Sequence, residues 1–380
     1  MELTILMPSL NEEKTIFKCI DKALSSIRRL NIEAEVLVAD NGSTDRTIEI
    51  VSSYEENVRL ISVNKLGYGN ALIEGIEQAK GRFIIMADSD DSYNFLEIDG
   101  FYEKLKEGYD MVIGNRFSGG IEENAMPFLH RYLGNPVLSF LGRLFYRIKI
   151  KDFHCGFRGF KRDEVMSLKL CCGGMDFASE MIVKSSLHNL SLTEIPIRLY
   201  KDGRDRKPHL NTWRDGWRHL KFLLLFSPKW VFLYPGILLS TIGLTLFAIL
   251  LNTDIQIANI NLSIHTMIYS SSLLIIGIQL FSFYIFSKQL RDSVLLNKAP
   301  VMRKSRLTIE IGLVTGGVAA IGGLILFFLS IFYWADNSFG NLDPFKMMKL
   351  VMPSITLLIV GVILLFNSFF LNLVALITKK

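Results

Sequence analysis

Cysteine is scarce in this chain: four residues in 380, Cys19, Cys155, Cys171 and Cys172, with no C-x-x-C pair among them. Free thiols are expected of them in the cytoplasmic setting that the loop charges imply. A metal site built from His154, Cys155 and the adjacent Cys171–Cys172 is disfavoured, because neighbouring residues chelate one ion poorly. The N-terminal half also lacks a basic stripe interleaved with aromatics, so the net charge of +5 gives no support for nucleic-acid binding. No basic n-region precedes the opening "MELTILMPSL", which carries Glu2 instead, and no cleaved signal peptide is indicated.

What the chain has in excess is apolar length. Half of its residues are hydrophobic and the mean hydropathy is +0.31, and the excess begins beyond about Lys221. Four runs there, Trp230–Leu251, Thr266–Ser287, Ile311–Trp334 and Leu350–Thr378, carry no charged side chain. Each has the roughly 20 residues that a helix needs to cross a hydrocarbon core of about 30 Å. The loop between the first two, "NTDIQIANINLS", has no Lys or Arg. The next, "SKQLRDSVLLNKAPVMRKSR", holds Lys288, Arg291, Lys298, Arg303, Lys304 and Arg306, and the chain ends in Lys379–Lys380. An even number of spans with this bias puts the N-terminal half, the basic loop and the C-terminus on the cytoplasmic side of a multi-pass membrane protein. The expected organisation is residues 1–210 as a catalytic domain, 211–229 as a basic and aromatic interfacial helix, and 230–380 as a membrane domain.

The first 120 residues alternate strand and helix patterns. "LTILMPSL", "AEVLVAD", "VRLISV" and "RFIIMAD" read as strands with helical segments between them, and "YDMVIGNR" reads as a fifth. That alternation predicts an α/β domain with a mainly parallel sheet covered on both faces. Polar residues gather where the strand patterns stop: Ser9 and Asn11, Asp40 and Asn41, Asp88 to Asp91, and Asn115 with Arg116. In an open α/β sheet that edge is where ligands bind.

The densest of these clusters is "ADSDD". In an extended segment Asp88 and Asp90 leave the same side of the chain, so both carboxylates can reach one hard cation. Mg²⁺ or Mn²⁺ would relieve their repulsion and keep open positions for the oxygens of a diphosphate. A lone D-x-D recurs by chance in many loops; its place at the end of a fourth strand is what gives it weight.

With "MPSLNEEKTI", "VADNGSTDRT", "NKLGYGNALIEGIEQAKGRFIIMADSDD" and "DFHCGFRGF" in this order, residues 1–200 resemble the inverting glycosyltransferase family 2, which has the GT-A fold. Within it, the chain is most similar to polyprenyl-phosphate glycosyltransferases of the dolichyl-phosphate mannose or glucose synthase type. The resemblance implies roles position by position. Pro8, Asn11 and Glu12 match the first nucleotide-contacting loop, Asp40 the carboxylate that bonds the base, and Gly67 with Gly69 a close backbone approach to the nucleotide. Asp88 matches the D-x-D carboxylate facing nucleotide or sugar, and Asp90 the metal-binding one. Ser92 stands where the family often has Gln, which leaves the remaining metal ligands and the role of Asp91 open. UDP-glucose or GDP-mannose is implied as donor and a polyprenyl phosphate, dolichyl or undecaprenyl, as acceptor.

A lipid phosphate is already ionised at neutral pH, so such chemistry needs positioning and charge neutralisation more than a strong base. Arg116 and Arg131 match positions that face the acceptor phosphate, while Arg158 is divided between fold support and site. Arg204 and Arg206, in "GRDRKP", are expected in a loop serving the same phosphate. In the following stretch Arg214, Arg218 and Lys221 recur at helical spacing beside Trp213 and Trp217, the pattern of a helix lying in a membrane interface. Alternatives stay open here: a family 2 transferase with a non-polyprenyl glycan or lipid acceptor, or a non-catalytic nucleotide-sugar-binding membrane scaffold. The Q-x-x-R-W element of processive polysaccharide synthases is absent.

Overall fold

The computed structural model describes residues 1–55, 57–204, 212–253, 255–257, 260–296 and 307–377. The chain forms two compact units, Met1–Phe226 and Ser227–Lys380.

The five expected strands are present as β1 (Leu3–Ser9), β2 (Ala34–Asp40), β3 (Val58–Ser62), β4 (Phe83–Met86) and β5 (Met111–Asn115). Two further strands, β6 (Arg158–Lys161) and β7 (Leu192–Pro196), complete a seven-stranded sheet of order β3-β2-β1-β4-β6-β5-β7. β1 to β4 pair in parallel, as do β5 and β7, while β6 runs antiparallel to both β4 and β5. The mainly parallel α/β class read from the sequence is therefore observed. All seven residues of β1 and of β2 are buried, as befits strands covered on both faces.

The covering helices are α1 (Ile16–Leu30), α2 (Thr47–Ser52), α3 (Tyr68–Gln78), α4 (Asp99–Lys106), the single turn α5 (Arg116–Gly119), α6 (Asn135–Tyr146), α7 (Arg162–Ser167), α8 (Phe177–Leu187) and α9 (Thr212–Leu225). In α1, Ile16, Cys19, Ile20, Ala23 and Ile27 recur at helical spacing and form its buried face. The helix stops at Asn31, which is left-handed at φ 50°, with Arg28 and Arg29 against the carbonyl end. A π-turn, His130–Gly134, leads into α6. α9 belongs to the first unit: Leu223 is fully buried and its carbonyl accepts from the Tyr146 hydroxyl at 2.7 Å.

Parallel pairing decides where the site lies. Ser9 is opposite Asp40 in the β1–β2 register, and Leu6 is opposite Met86 in β1–β4. The carboxyl ends of β1, β2 and β4 therefore deliver their following residues to one edge. Gly156, in the "DFHCGF" loop before β6, packs against that edge; a Cβ there would meet Asp88 Oδ2 at 3.0 Å.

The second unit contains α10 (Tyr234–Asn252), α11 (Ile264–Leu296), α12 (Leu307–Asp336) and α13 (Pro344–Ile377), with a short hairpin, β8 (Ile255–Ile257) and β9 (Ile260–Leu262), between the first two. Segments Lys229–Asn252, Ile264–Ser293, Glu310–Asp336 and Pro344–Ala375 are long and apolar enough to cross a membrane. Their contacts are those of helices in lipid. Gly243 leaves no room for a Cβ against Leu274 N at 2.5 Å, Ser271 and Thr356 hydroxyls bond at 2.7 Å, and Ser354 donates to Gly323 O at 2.8 Å. The basic residues Lys298, Arg303, Lys304 and Arg306, like Lys379 and Lys380, lie outside the described residues.

Candidate active site

β4 ends at Met86, and the two residues Ala87 and Asp88 carry the chain to the sheet edge. Asp90 is only 7% exposed. Its Oδ1 accepts from Ser92 N at 3.1 Å and Ser92 Oγ at 2.5 Å, closing an Asx-type turn. Oδ2 faces Arg204 Nη1 at 3.2 Å. The same guanidinium reaches Glu12, Nη2 to Oε1 at 2.5 Å and Nε to Oε2 at 3.1 Å. Gly203 N donating to Asp90 O, and Tyr200 N to Ser92 O, both at 2.9 Å, lay the chain before Arg204 along this turn. Arg204, expected at the acceptor phosphate, here pairs with Glu12 and Asp90. Arg206 lies outside the described residues.

Asp88 is half-buried beside this pair. Burial, and after it the charge of Asp90, push its carboxyl up to about 6, although Arg204 and the Tyr68 hydroxyl partly offset them. Asp91 is turned away. It adopts φ 63° and pairs with Lys22 at 2.6 Å, so it fastens the loop to α1.

The neighbouring loops brace one another. Asn11, at φ 57°, accepts from Thr44 N at 2.7 Å and its own N–H donates to Ser43 Oγ at 2.8 Å. Pro8 O accepts from Ser89 Oγ at 2.7 Å. Asp40 Oδ2 accepts from Gly42 N and Ser43 N, both at 3.1 Å, but its Oδ1 and the Ser9 hydroxyl opposite are buried without a partner among the described residues. Buried polar atoms left in that state are uncommon and call for a further partner, a water or a ligand. Gly67 has φ +135°, and a Cβ there would lie 2.3 Å from Gly173 O; for Gly69 the obstacle is Cys172 O at 2.1 Å. The close approach these glycines make is to the 172–174 backbone.

The arginines divide by burial. Arg158 is fully buried and donates to the carbonyls of Cys155, Ala178 and Phe153 at 2.8–2.9 Å; it holds the fold. Arg116 is tied to Asp152 through Nε at 2.7 Å and Nη2 at 2.8 Å. It lines a cavity of about 140 Å³ together with His130, Asn135, Leu138, His154 and His219. Arg131, partly exposed, sits on the π-turn that supplies His130 to that cavity and stacks over Tyr132 at 5.5 Å. Beside it the surface is strongly apolar, with Phe128 at 73% and Trp213 at 76% exposed, and Tyr132, Leu133 and Phe140 also exposed.

Three contributors escaped sequence reasoning: Tyr68 at Asp88, Lys22 at Asp91, and the hydroxyl of Ser179 between two histidines. Each joins segments distant in sequence, and none carried a local signal.

The family profile described as "Glycosyl transferase family 2" matches residues 4–167, and "Glycosyltransferase family 2 C-terminal transmembrane region" matches residues 293–375. The low-salt glycan biosynthesis hexosyltransferase Agl6 of Haloferax volcanii is 34% identical over 373 residues, covering 97% of this chain and 88% of Agl6. The dolichyl-phosphate hexose transferase of the same organism is 26% identical, over 52% of this chain and 82% of that protein. Among solved structures, glucosyl-3-phosphoglycerate synthase from Mycobacterium tuberculosis is similar at 20% identity and a TM-score of 0.47, over 59% of this chain and 79% of that one. The chain belongs to glycosyltransferase family 2: it is a membrane glycosyltransferase, with a GT-A catalytic domain followed by the family's transmembrane region.

Proposed function

We propose that this enzyme transfers a hexose, with inversion, from a nucleoside diphosphate sugar to a polyprenyl phosphate at the cytoplasmic face of a prokaryotic plasma membrane. The observation that carries this reading is the strand-edge trio Glu12, Asp88 and Asp90, in which a single guanidinium serves two carboxylates and Asp88 is pushed up to about 6. Carboxylates so crowded fit a further cation, and the pairing of Asp90 with the Arg204 guanidinium supports that reading. Asp88 and Asp90 would hold Mg²⁺ or Mn²⁺, which when bound neutralises the charge of the departing nucleoside diphosphate.

The chain's own groups supply the rest. Asp40 Oδ1 offers a buried acceptor to an N–H of uracil or guanine, consistent with UDP-glucose or GDP-mannose as donor. Pro8, Asn11 and Gly67 shape the surrounding loops. Arg204 moves between donor carboxylates and the diphosphate, while Arg116 and Arg131 meet the acceptor phosphate, positioning its oxygen for in-line attack. The apolar surface around Phe128, Tyr132 and Phe140, next to Trp213 and Trp217, supports docking on the membrane, where the acceptor resides. The names of two relatives, a hexosyltransferase and a dolichyl-phosphate hexose transferase, favour the same substrate classes.

The test is direct. Membranes containing the protein are incubated with radiolabelled UDP-glucose or GDP-mannose, polyprenyl phosphate and Mn²⁺. Label is expected in the organic phase; its absence with both donors overturns the proposal.

A further inference from the structure

The cavity at Arg116 contains a polar arrangement that the transfer reaction as set out above does not use. Ser179, fully buried on α8, places its hydroxyl between two imidazoles: 2.8 Å from His219 Nδ1, on α9, and 3.4 Å from His154 Nε2. The two rings stand edge to face with centroids 4.4 Å apart. His154 Nδ1 is buried and has no partner among the described residues. Burial, then the neighbouring His219 and Arg116, hold the His154 imidazole well below its usual range, so it is neutral and carries one proton.

A hydroxyl between two nitrogens donates to one and accepts from the other, and this fixes the tautomers. When His219 Nδ1–H donates to Ser179, the hydroxyl donates to His154 Nε2, and the His154 proton must sit on Nδ1. Reversing the order leaves Nδ1 bare. Only the first order leaves His154, which lines the cavity, an N–H donor at its buried Nδ1. Arg116 adds a second: Asp152 takes its Nε and Nη2, and Nη1 has no hydrogen bond among the described residues.

These two donors, one of them cationic, favour an oxyanion over a neutral hydroxyl. About 140 Å³ holds four to five waters at roughly 30 Å³ each, room for phosphorus and its four oxygens. Leu138, Met175 and Ala178 add apolar lining, and α6, which supplies Leu138, exposes Val137 and Phe140. An apolar tail attached to the anion has a surface to follow.

We propose that His219–Ser179–His154 is a proton-ordered relay that aims His154 Nδ1–H at the phosphomonoester headgroup of an isoprenyl lipid, beside Arg116 Nη1. His154 is then a binding residue for the acceptor, and Ser179 and His219 are positioning residues. The inference rests on the lipid-phosphate reading above and adds the group that recognises the headgroup.

The experiment measures binding of farnesyl phosphate, farnesol and inorganic phosphate to the purified full chain in detergent. Ser179→Ala is expected to weaken farnesyl phosphate about 3- to 10-fold, the worth of one hydrogen bond, and to raise the KM for it with kcat little changed. Farnesol binding should not move. His154→Phe should do more, and His154→Asn, whose amide can donate from near the Nδ1 position, should recover most of the loss. A melting midpoint within a few degrees of the parent identifies the folded variants. If folded Ser179→Ala and His154→Phe both bind farnesyl phosphate like the parent, the relay is wrong while lipid glycosylation stands. If inorganic phosphate binds as tightly as farnesyl phosphate, the lipid headgroup is not what the cavity selects. If the parent binds no farnesyl phosphate and labels no lipid, both readings fall.

Discussion

The two edges of the central sheet treat buried carboxylates in opposite ways. At the amino edge, Glu35 of β2 accepts from Arg59 Nε and Nη2 at 3.0 and 3.1 Å, from Thr4 Oγ1 at 2.9 Å and from Lys80 N at 2.8 Å. Burial alone would raise its carboxyl, yet these donors outweigh it and hold Glu35 below the usual range. At the carboxyl edge of the same sheet, burial and Asp90 win at Asp88, and Asp40 keeps one oxygen unpartnered among the described residues. Glu180, buried and paired with Lys184 at 2.7 Å, behaves like the amino edge: its donors hold it below the usual range despite burial. A buried charge that the chain itself satisfies belongs to the fold; one it leaves wanting belongs to a ligand. The contrast separates residues that sequence alone presents as equivalent acids.

The contrast is tested most severely at Asp90. Asp90→Ala should lower transfer by about 10³-fold or more, the scale of removing a charge-stabilising group from a transition state, and should abolish dependence on the divalent cation. Membrane insertion and the melting midpoint should hold, because Arg204 retains Glu12. Turnover in EDTA equal to the parent's would remove Asp90 from the site. The amino edge should respond the other way. Glu35→Ala strands Arg59, partly exposed at 28%, and two further donors, and should cost about 2–3 kcal/mol of stability. Thermal unfolding would register that loss, while kcat measured well below the transition should stay within about twofold. A large fall in kcat without loss of stability would dissolve the distinction between the edges.

How much of this was legible in the chain itself follows from how local each feature is. Strand patterns ending in polar residues are written within a few positions, so β1 to β5 and the edge carrying Asp40, Asp88 and Asp90 could be read directly. β6 could not: "RGFK" is four residues long and has no alternation that distinguishes a buried antiparallel strand from a loop. Its direction depends on partners more than 40 residues away in β5 and more than 70 away in β4. In the sequence Arg116 and Arg204 look like similar phosphate ligands, yet in the fold one pairs with Asp152 and the other bridges Glu12 and Asp90. Likewise "DFHCGF" announces itself as a motif, but that Gly156 abuts Asp88 and His154 meets Ser179 emerges only when the sheet brings β4, β6 and α8 together.

The smallest expected effect concerns stability at the site itself. A carboxyl raised from its ordinary value near 3.8 to about 6 binds more protons folded than unfolded across that interval, so its ionisation opposes folding. The cost is absent below about pH 4, grows as pH rises through 6, and is fully present at pH 7. Asp88→Asn removes it. In metal-free protein at pH 7 the variant should be more stable than the parent by about 1–2 kcal/mol, discounted for the partial exposure of Asp88, and the gain should vanish near pH 4.5. Differential scanning fluorimetry in EDTA at several pH values reads this as converging melting midpoints. Equal midpoints at pH 7 would mean that Arg204 and Tyr68 already satisfy Asp88, and that the carboxyl edge is no less settled than the amino one. A gain at neutral pH bought with lost transfer would instead mark Asp88 as a residue retained against the stability of its own fold, which is what a waiting cation site requires.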